Sequence, residues 1–438
     1  MESIFRLISF EINGIKNISK PISIQFLNSG IRKSDFEKSH IKIIYGPNGS
    51  GKTAFVYALD FYKRVTCDPN ALNNSLFNKK FYSLVNKNAD SIFFAAIFAI
   101  NDSPKSTLKL KHVIEFNIDK TANNLRITKE SIFKLDSRNN ETELFIIKDN
   151  KLVYTPYEYL NDLMINRLDN VSIVARMAAL LANSPRENEF EKGVFYLACT
   201  FVFARSVYIY FGSDENVVYS PYIAPKPMDA SNAERIAEEI QEMDKDVDKR
   251  YLTSVQHNDI AEYAKHIECV KKFIKLFKPE LKDIEIDKRD LGGKYWINLT
   301  FVYEDGSRVD FENESTGIKK IVTLSNALEA LSQGGIAIID EIDTGIMDKI
   351  ITEIVDYACK YTNGQLILTT HHVGLMNVVK KAKHSIDFLS SDNVLTKWIN
   401  NANYNPEKVF LNGGIPHIPL NINSLDFVDV FSGEKDGE

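Results

Sequence analysis

The chain reads as an α/β fold, a mixed sheet joined to a layer of antiparallel strands, and three observations carry that expectation. His40–Tyr45 (HIKIIY) is a short β-branched run ending at glycine, and Thr53–Tyr62 after it has apolar residues at helical spacing, so the text is strand, loop, helix. Ser91 to Ile147 holds four strand-like stretches, SIFFAAIFAI, HVIEFNI, LRITKESIFKL and TELFII, parted by Asn, Asp, Ser and Lys turns. Farther on, Ile336–Ile339 is four apolar residues in a row, which suits a strand buried on both faces.

At 438 residues the chain has length for two or three domains. Apolar residues at 44% and charged residues at 26% are ordinary globular usage, which excludes a disordered or fibrous class. A net charge of −6 argues against a protein that coats nucleic acid without specificity, and leaves room only for a local basic patch. Cys67, Cys199, Cys269 and Cys359 form no CxxC pair, so they read as buried or inert thiols in a reducing compartment. The opening MESIFRLISFEING lacks the pattern of a signal peptide. The most apolar stretch, Val194–Ala204, stops at Arg205, short of the roughly 20 residues of a spanning helix. A cytoplasmic protein without a membrane partner is expected.

The remaining elements follow in order. Residues 3–12 alternate into the Asn13–Gly14 turn, and Pro21–Phe26 repeats that character, giving two early strands. From about Pro156 to Pro279 the text becomes helical. Ile236, Ile240, Met243 and Val247 step by four, three and four, and Ile260, Tyr263, Ile267, Val270, Ile274 and Phe277 keep helical steps. Asp259 with Glu262 resembles a capping box at the start of the second helix, and Pro279 stops it. The two helices read as a hairpin joined near Leu252–Asn258, whose seam covers the core or a partner subunit. Strands return at Tyr295–Tyr303 and Ser307–Phe311 around a Glu304–Gly306 turn. The expected division is 1–156, an N-terminal half of the core; 157–280, a helical insertion; 281–400, the C-terminal half; and 401–438, a tail.

Gly46-Pro47-Asn48-Gly49-Ser50-Gly51-Lys52-Thr53 satisfies GxxxxGK[ST] between a strand and a helix, the setting a P-loop needs. Its glycines let backbone N–H groups close around phosphate oxygens, Lys52 reaches the β- and γ-phosphates, and the Thr53 hydroxyl is placed to ligate magnesium. The run Ile336–Ile339 ends in Asp340 and Glu341, a Walker B pattern. Asp340 then holds Mg2+ beside Thr53, and Glu341 polarises the attacking water.

Glu314-Ser315-Thr316-Gly317 opens a helix expected to run through Ala330, with the serine 26 positions before Glu341. Taken alone, Ser315 is a plain N-cap; ahead of a Walker B strand, it and Gly317 read as an anion site at a helix N-terminus. Ile367-Leu368-Thr369-Thr370-His371-His372 is another β run ending in polar side chains, its first histidine 30 positions after Glu341. His371, first after the strand, is the candidate to touch a γ-phosphate or the attacking water.

With these four elements in one order, the chain resembles ATP-binding-cassette ATPases. Within that class it is similar to prokaryotic abortive-infection ATPases related to OLD nucleases and to the ATPase subunit of PARIS anti-phage systems. FENESTGIKKIVTLSNAL, GGIAIIDEID, QLILTTHH and FLNGGIP at Phe410–Pro416 carry the likeness, which covers most of 1–150 and 290–420. It implies a degenerate signature motif at Ser315–Gly317, acting in trans on the nucleotide of another subunit, with Asp343 as the D-loop acid and His371 as the switch histidine. Two departures stand out. No glutamine lies between Lys52 and Gln241 to serve as a Q-loop, and the 67 residues after His371 are too few for the Toprim nuclease of OLD enzymes.

The resemblance implies ATP and Mg2+ as cofactors and a homodimer or higher homo-oligomer. It further implies a protein effector, nuclease or toxin, that the ATPase controls in anti-phage defence. A RecF- or SMC-like repair clamp that holds DNA is the alternative, and a transporter ATPase is a weaker third that leaves the insertion unexplained.

Overall fold

The computed structural model describes residues 4–103, 106–157, 160, 170–183, 192–212, 253–290, 292–382, 384–399 and 404–418. Within them lie three sheets. A seven-stranded antiparallel sheet takes β1 (Ile4–Asn13), β2 (Ile22–Gln25), β4 (Ser91–Ser103), β5 (Ser106–Asp119), β6 (Asn124–Leu135), β7 (Glu141–Lys148) and β8 (Lys151–Tyr154), in the order β2-β1-β4-β5-β6-β7-β8. A six-stranded sheet takes β3 (His40–Tyr45), β9 (Val207–Phe211), β14 (Ile336–Asp340), β15 (Gln365–Thr369), β16 (Ile386–Leu389) and β17 (Leu395–Lys397). Its order is β17-β16-β3-β15-β14-β9, parallel except for β17. The expected mixed sheet and antiparallel layer are therefore both present.

The six-stranded sheet is covered on both faces, as its continuous apolar strands require. Ile44, Ile336, Ile338, Ile367 and Leu389 pack toward the seven-stranded sheet together with helix α1 (Lys52–Cys67). Ile43, Tyr45, Ala337, Ile339, Leu366, Leu368 and Phe388 face a second core. Helices α7 (Asp348–Tyr361), α8 (Leu375–Val379) and α9 (Pro406–Leu411) contribute Ile351, Ile354, Val355, Leu375, Met376, Val379 and Phe410 to it. Between α1 and the antiparallel sheet, Phe61 stacks on Phe81 of α2 (Ser75–Tyr82) at 4.3 Å and on Phe116 at 5.1 Å, and meets Phe94 edge-on at 5.4 Å. Each such pair adds about 0.5–1.5 kcal/mol beyond its buried area.

The span 157–280, expected as a helical insertion, differs in its described part. Helices α3 (Ile173–Asn183) and α4 (Lys192–Ser206) pack on the P-loop helix and run straight into β9, which is a strand of the core sheet. The residues expected to form the first arm of the hairpin, Ile236 to Val247, lie outside the described residues. Thr253–Gln256 is a strand, β10, where a joint between helices was expected. The second arm is helix α5 (Ile260–Lys275), with Tyr263, Ile267, Val270 and Ile274 buried at the expected spacing. Its seam covers a sheet: β10, β11 (Leu281–Asp290), β12 (Lys294–Tyr303) and β13 (Arg308–Asp310) complete a small lobe with its own core. Helix α6 (Thr316–Ser332) leaves that lobe, giving Ile318, Ile321 and Val322 to the lobe's core and Leu324, Ala327 and Leu331 to the main one.

One buried cation ties the two halves of the chain. Arg6 of β1 is fully buried, and its guanidinium donates to the carbonyls of Phe5 (2.8 Å), Gly334 (2.9 Å), Phe36 (3.0 Å), Asp35 (3.2 Å) and Asn363. Beside it the Gln365 side chain acts as a strand partner, accepting from Leu7 N and donating to Leu7 O, both at 2.8 Å. Burial lowers the Arg6 guanidinium to about 10, with Asp35 opposing. Replacing Arg6 strands several buried carbonyls, and a lysine has too few donors to satisfy them. Arg6→Met should therefore cost about 3 kcal/mol or more, and Arg6→Lys nearly as much, in denaturant unfolding. A loss under about 1 kcal/mol would show the clamp to be dispensable.

Candidate nucleotide site

The loop after β3 takes the shape its glycines permit. Gly49 has φ +79° and Gly51, which caps α1, has φ +108°, both left-handed values that a side chain resists. A Cβ on Gly46 would stand 2.2 Å from the Leu389 carbonyl oxygen and 2.6 Å from Ser50 Oγ. The Lys52 ammonium lies inside the curve of the loop, donating to Gly46 O at 2.8 Å and Pro47 O at 3.2 Å. Burial lowers its pKa, opposed by Asp340, Glu341 and Asp343, which places the lysine in the field of all three acids.

The acids arrive on β14. Asp340 is fully buried and accepts from the Thr369 hydroxyl at 2.5 Å through Oδ1. Burial raises its pKa, against the hydroxyls of Thr369 and Thr53 and the charge of Lys52. Among the described residues, Asp340 Oδ2 and Ser50 Oγ are buried with no geometric hydrogen-bond partner. An orphaned carboxylate oxygen beside Thr53, and an orphaned hydroxyl inside a phosphate loop, fit a hard cation and a phosphate. Glu341 follows at φ +48°, its N–H held by Thr369 Oγ1 at 2.9 Å. That left-handed backbone costs about 1–2 kcal/mol and turns the carboxylate away from the strand's alternation.

Asp343 accepts from Thr370 Oγ1 at 2.8 Å and from His371 N at 3.2 Å, so the acid two residues beyond Glu341 holds the turn that presents the histidine. His371 has its pKa lowered by burial and by Lys52, with Asp343 and Glu341 opposing. It therefore shares the space of the loop lysine and the second acid. His372 turns elsewhere, with Nδ1 3.6 Å from Asp348. Both histidines lie in the loop after β15, which ends at Thr369.

Ser315 is the N-cap of α6 and its Oγ accepts from Ile318 N at 3.4 Å, so the plain N-cap reading describes its geometry. The first turn of α6 rests on the Thr344–Gly345 turn. Lys320 Nζ donates to Thr344 O at 2.8 Å, and a Cβ on Gly317 would touch Gly345 O at 3.4 Å. Thus the structure gathers the loop, Asp340, Glu341, Asp343 and His371. Among the described residues, no hydrogen bond or ion pair links Ser315 or Gly317 with Lys52.

Contributors from three places escaped the sequence reading. Thr369 bridges Asp340 and the Glu341 backbone; its signal was the first threonine of TTHH. Lys16 and Asn17 sit in the β1–β2 hairpin, where Asn17 Nδ2 donates to Gly49 O. Lys16 Nζ lies 4.2 Å from the Tyr57 ring, and Tyr57 stacks on Phe211 at 4.7 Å. Burial lowers the Lys16 pKa while Asp340 and Glu341 oppose. Beside the acids, β9 ends in Phe211–Gly212, where Gly212 N donates to Asp340 O at 2.8 Å and a Cβ would stand 2.3 Å from Glu341 O.

A parallel sheet whose strand runs into a GxxxxGKT loop, with an acid pair two strands away, defines a P-loop ATPase domain. The chain belongs to the family described as "AAA domain, putative AbiEii toxin, Type IV TA system", whose model matches residues 41–377. Among solved structures it is similar to an Smc head bound to the C-winged helix domain of ScpA, at 12% identity and TM-score 0.41, covering 90% of this chain and 97% of that one. It is also similar to the SMC head domain from Thermotoga maritima (12%, TM-score 0.33, 90% and 99% covered) and to RecF with ATP (12%, TM-score 0.37, 90% and 100% covered). No curated protein matches the chain. Among the described residues no helix is long and apolar enough to cross a membrane, and no group of three or more His, Cys, Asp or Glu could by itself hold a metal ion.

Because the Asp340 pKa is raised, the folded state holds that proton more tightly than the unfolded chain. Its contribution to stability is therefore present below the ordinary carboxylate range and lost as pH rises through the raised value. Asp340→Asn should melt above the parent at neutral pH without nucleotide, with the gap closing as pH falls. Equal melting curves at neutral pH would show that the carboxylate bears no burial penalty.

Proposed function

We propose that this chain is a magnesium-dependent ATPase that closes head to tail around ATP and acts in anti-phage defence, sensing an invader and controlling a separate effector. The observation that supports it best is the meeting of Lys52 with Asp340, Glu341 and His371 at the ends of three neighbouring strands. Lys52 and the backbone of residues 46–53 bind the phosphates, and Thr53 and Asp340 would hold the cation. Magnesium, when bound, draws charge from the γ-phosphate. Glu341, aimed by its own backbone, takes the proton of the attacking water, and His371 orients that water against the γ-phosphate. Ser315 and Gly317 serve the other subunit's nucleotide, since within one chain they rest on the D-loop turn instead of the phosphate loop. The family's description, which names a toxin of a type IV toxin–antitoxin system, supports a second protein paired with this one.

Glu341→Gln keeps shape and hydrogen-bonding reach but cannot accept a proton. Turnover should fall by about 10²–10⁴-fold while ATP still binds. The variant should collect as an ATP-bound dimer, seen as a mass shift that ATP causes and ADP does not, and cells carrying it beside its neighbouring genes should lose plaque reduction. Parental turnover would assign the proton to another group. Lys52→Ala should abolish ATP binding in a calorimetric titration. Mixing Lys52→Ala with Ser315→Arg chains should restore at most one working site per dimer, and a mixture no better than either variant would count against the trans arrangement.

A further inference from the structure

The turn that opens α6 carries a carboxylate one residue ahead of Ser315, where an arriving phosphate would meet it. Glu314 is 8% exposed, and both of its oxygens are engaged. Oε1 accepts from the Tyr303 hydroxyl, and Oε2 accepts from the Ser315 backbone N–H at 3.1 Å. Lys278 stands behind them. Its Nζ donates to the Tyr303 hydroxyl at 2.8 Å, lies 3.8 Å from Glu314 Oε2 and sits 4.2 Å from the Tyr303 ring centroid. Lys278 follows α5 and Tyr303 ends β12, so both partners come from the small lobe.

An unmasked carboxylate here would oppose a phosphate in two ways. Its charge repels the phosphate, and its oxygens compete for the N–H groups at the start of the helix, one of which they already hold. The Lys278 ammonium compensates the charge. The Tyr303 hydroxyl stays protonated, because burial and Glu314 both push its pKa up, and it holds the carboxylate back from the helix end. Ser315 Oγ then keeps only its long 3.4 Å bond from Ile318 N, a contact that frees both groups for a phosphate oxygen when it breaks.

We infer that Lys278, Tyr303 and Glu314 form a positioning set in which the small lobe masks the Glu314 charge and so sets the affinity of the Ser315–Gly317 turn for the γ-phosphate of the other subunit's nucleotide. This rests on the trans reading of Ser315 and adds a control to it. Any shift of α5 against β12 unmasks the charge and opens the dimer, without touching the phosphate loop.

The test uses the full chain carrying Glu341→Gln, in which ATP-driven dimers persist. Lys278→Met should raise the ATP concentration that half-converts the chain to dimer by about tenfold or more. Adding Glu314→Gln removes the charge that needs masking and should return that concentration to within about twofold of the parent. Tyr303→Phe, which keeps the ring, should behave alike and be rescued alike. A role confined to packing predicts the reverse, because each double variant has lost more contacts than its single parent. Dimerisation of Lys278→Met at the parental ATP concentration, or failure of Glu314→Gln to rescue it, overturns the inference. Ser315→Arg separates the two levels. If it closes on ATP as the parent does, the trans reading falls and takes this inference with it; if it blocks closure while Lys278→Met does not weaken it, only this inference falls.

Discussion

A single buried guanidinium sets the geometry of everything at the other end of the sheet. Arg6 grips Asp35 and Phe36 just before β3, Gly334 just before β14 and Asn363 just before β15. These are the three strands whose far ends deliver the phosphate loop, the acid pair and the histidine. A parallel sheet fixes register along each strand, so pinning three entry turns to one planar cation fixes the relative heights of three exits. Three of the carbonyls are buried and need a donor from the protein, and the arginine stays because five acceptors are there. Neither side of the arrangement is stable without the other.

At the exits, the chain's own hydrogen bonds leave the chemistry little freedom. Thr369 binds Asp340 and the Glu341 backbone at once, and Asp343 binds both Thr370 and His371. The two loops after β14 and β15 are therefore laced together in one chain, and a disturbance of either acid moves the histidine. Helix α6 couples a second region to the first, with its opening half in the small lobe's core and its closing half in the main core. Rotation of the small lobe must therefore bend or carry that helix.

Most of the fold and the centre of the site were legible because their signals are local. HIKIIY before GPNGSGKT, and IAIID before a second acid, need only neighbouring residues to be read, and β3, α1 and β14 stand where the text places them. The alternating run of Ser91–Ile147 likewise fell into β4 to β7. What escaped depends on contacts distant in sequence. β9 follows a long apolar helix, and only its pairing with β14 marks VYIYF as a core strand. LKDIEIDKRD forms β11 because β12 stands beside it and α5 covers it, although its charges hide the alternation. Lys16 and Asn17 lie in a turn whose importance comes from the Gly49 carbonyl it meets. Cys269 is exposed, on a face of α5 that periodicity alone does not orient toward solvent.

The Arg6 clamp also has a consequence in time. Its partners on the far side of the chain are 328 and 357 residues away, so no order of folding lets it close before Asn363 has been made. On a ribosome adding about 5–20 residues per second, the phosphate loop emerges roughly 15 to 60 s before the last strand that must flank it. For most of that interval the nascent chain displays the loop without its acids, and for all of it without a completed sheet beneath it. A product that stops before Asn363 is thus left without the clamp that sets the loop, the acids and the histidine in register.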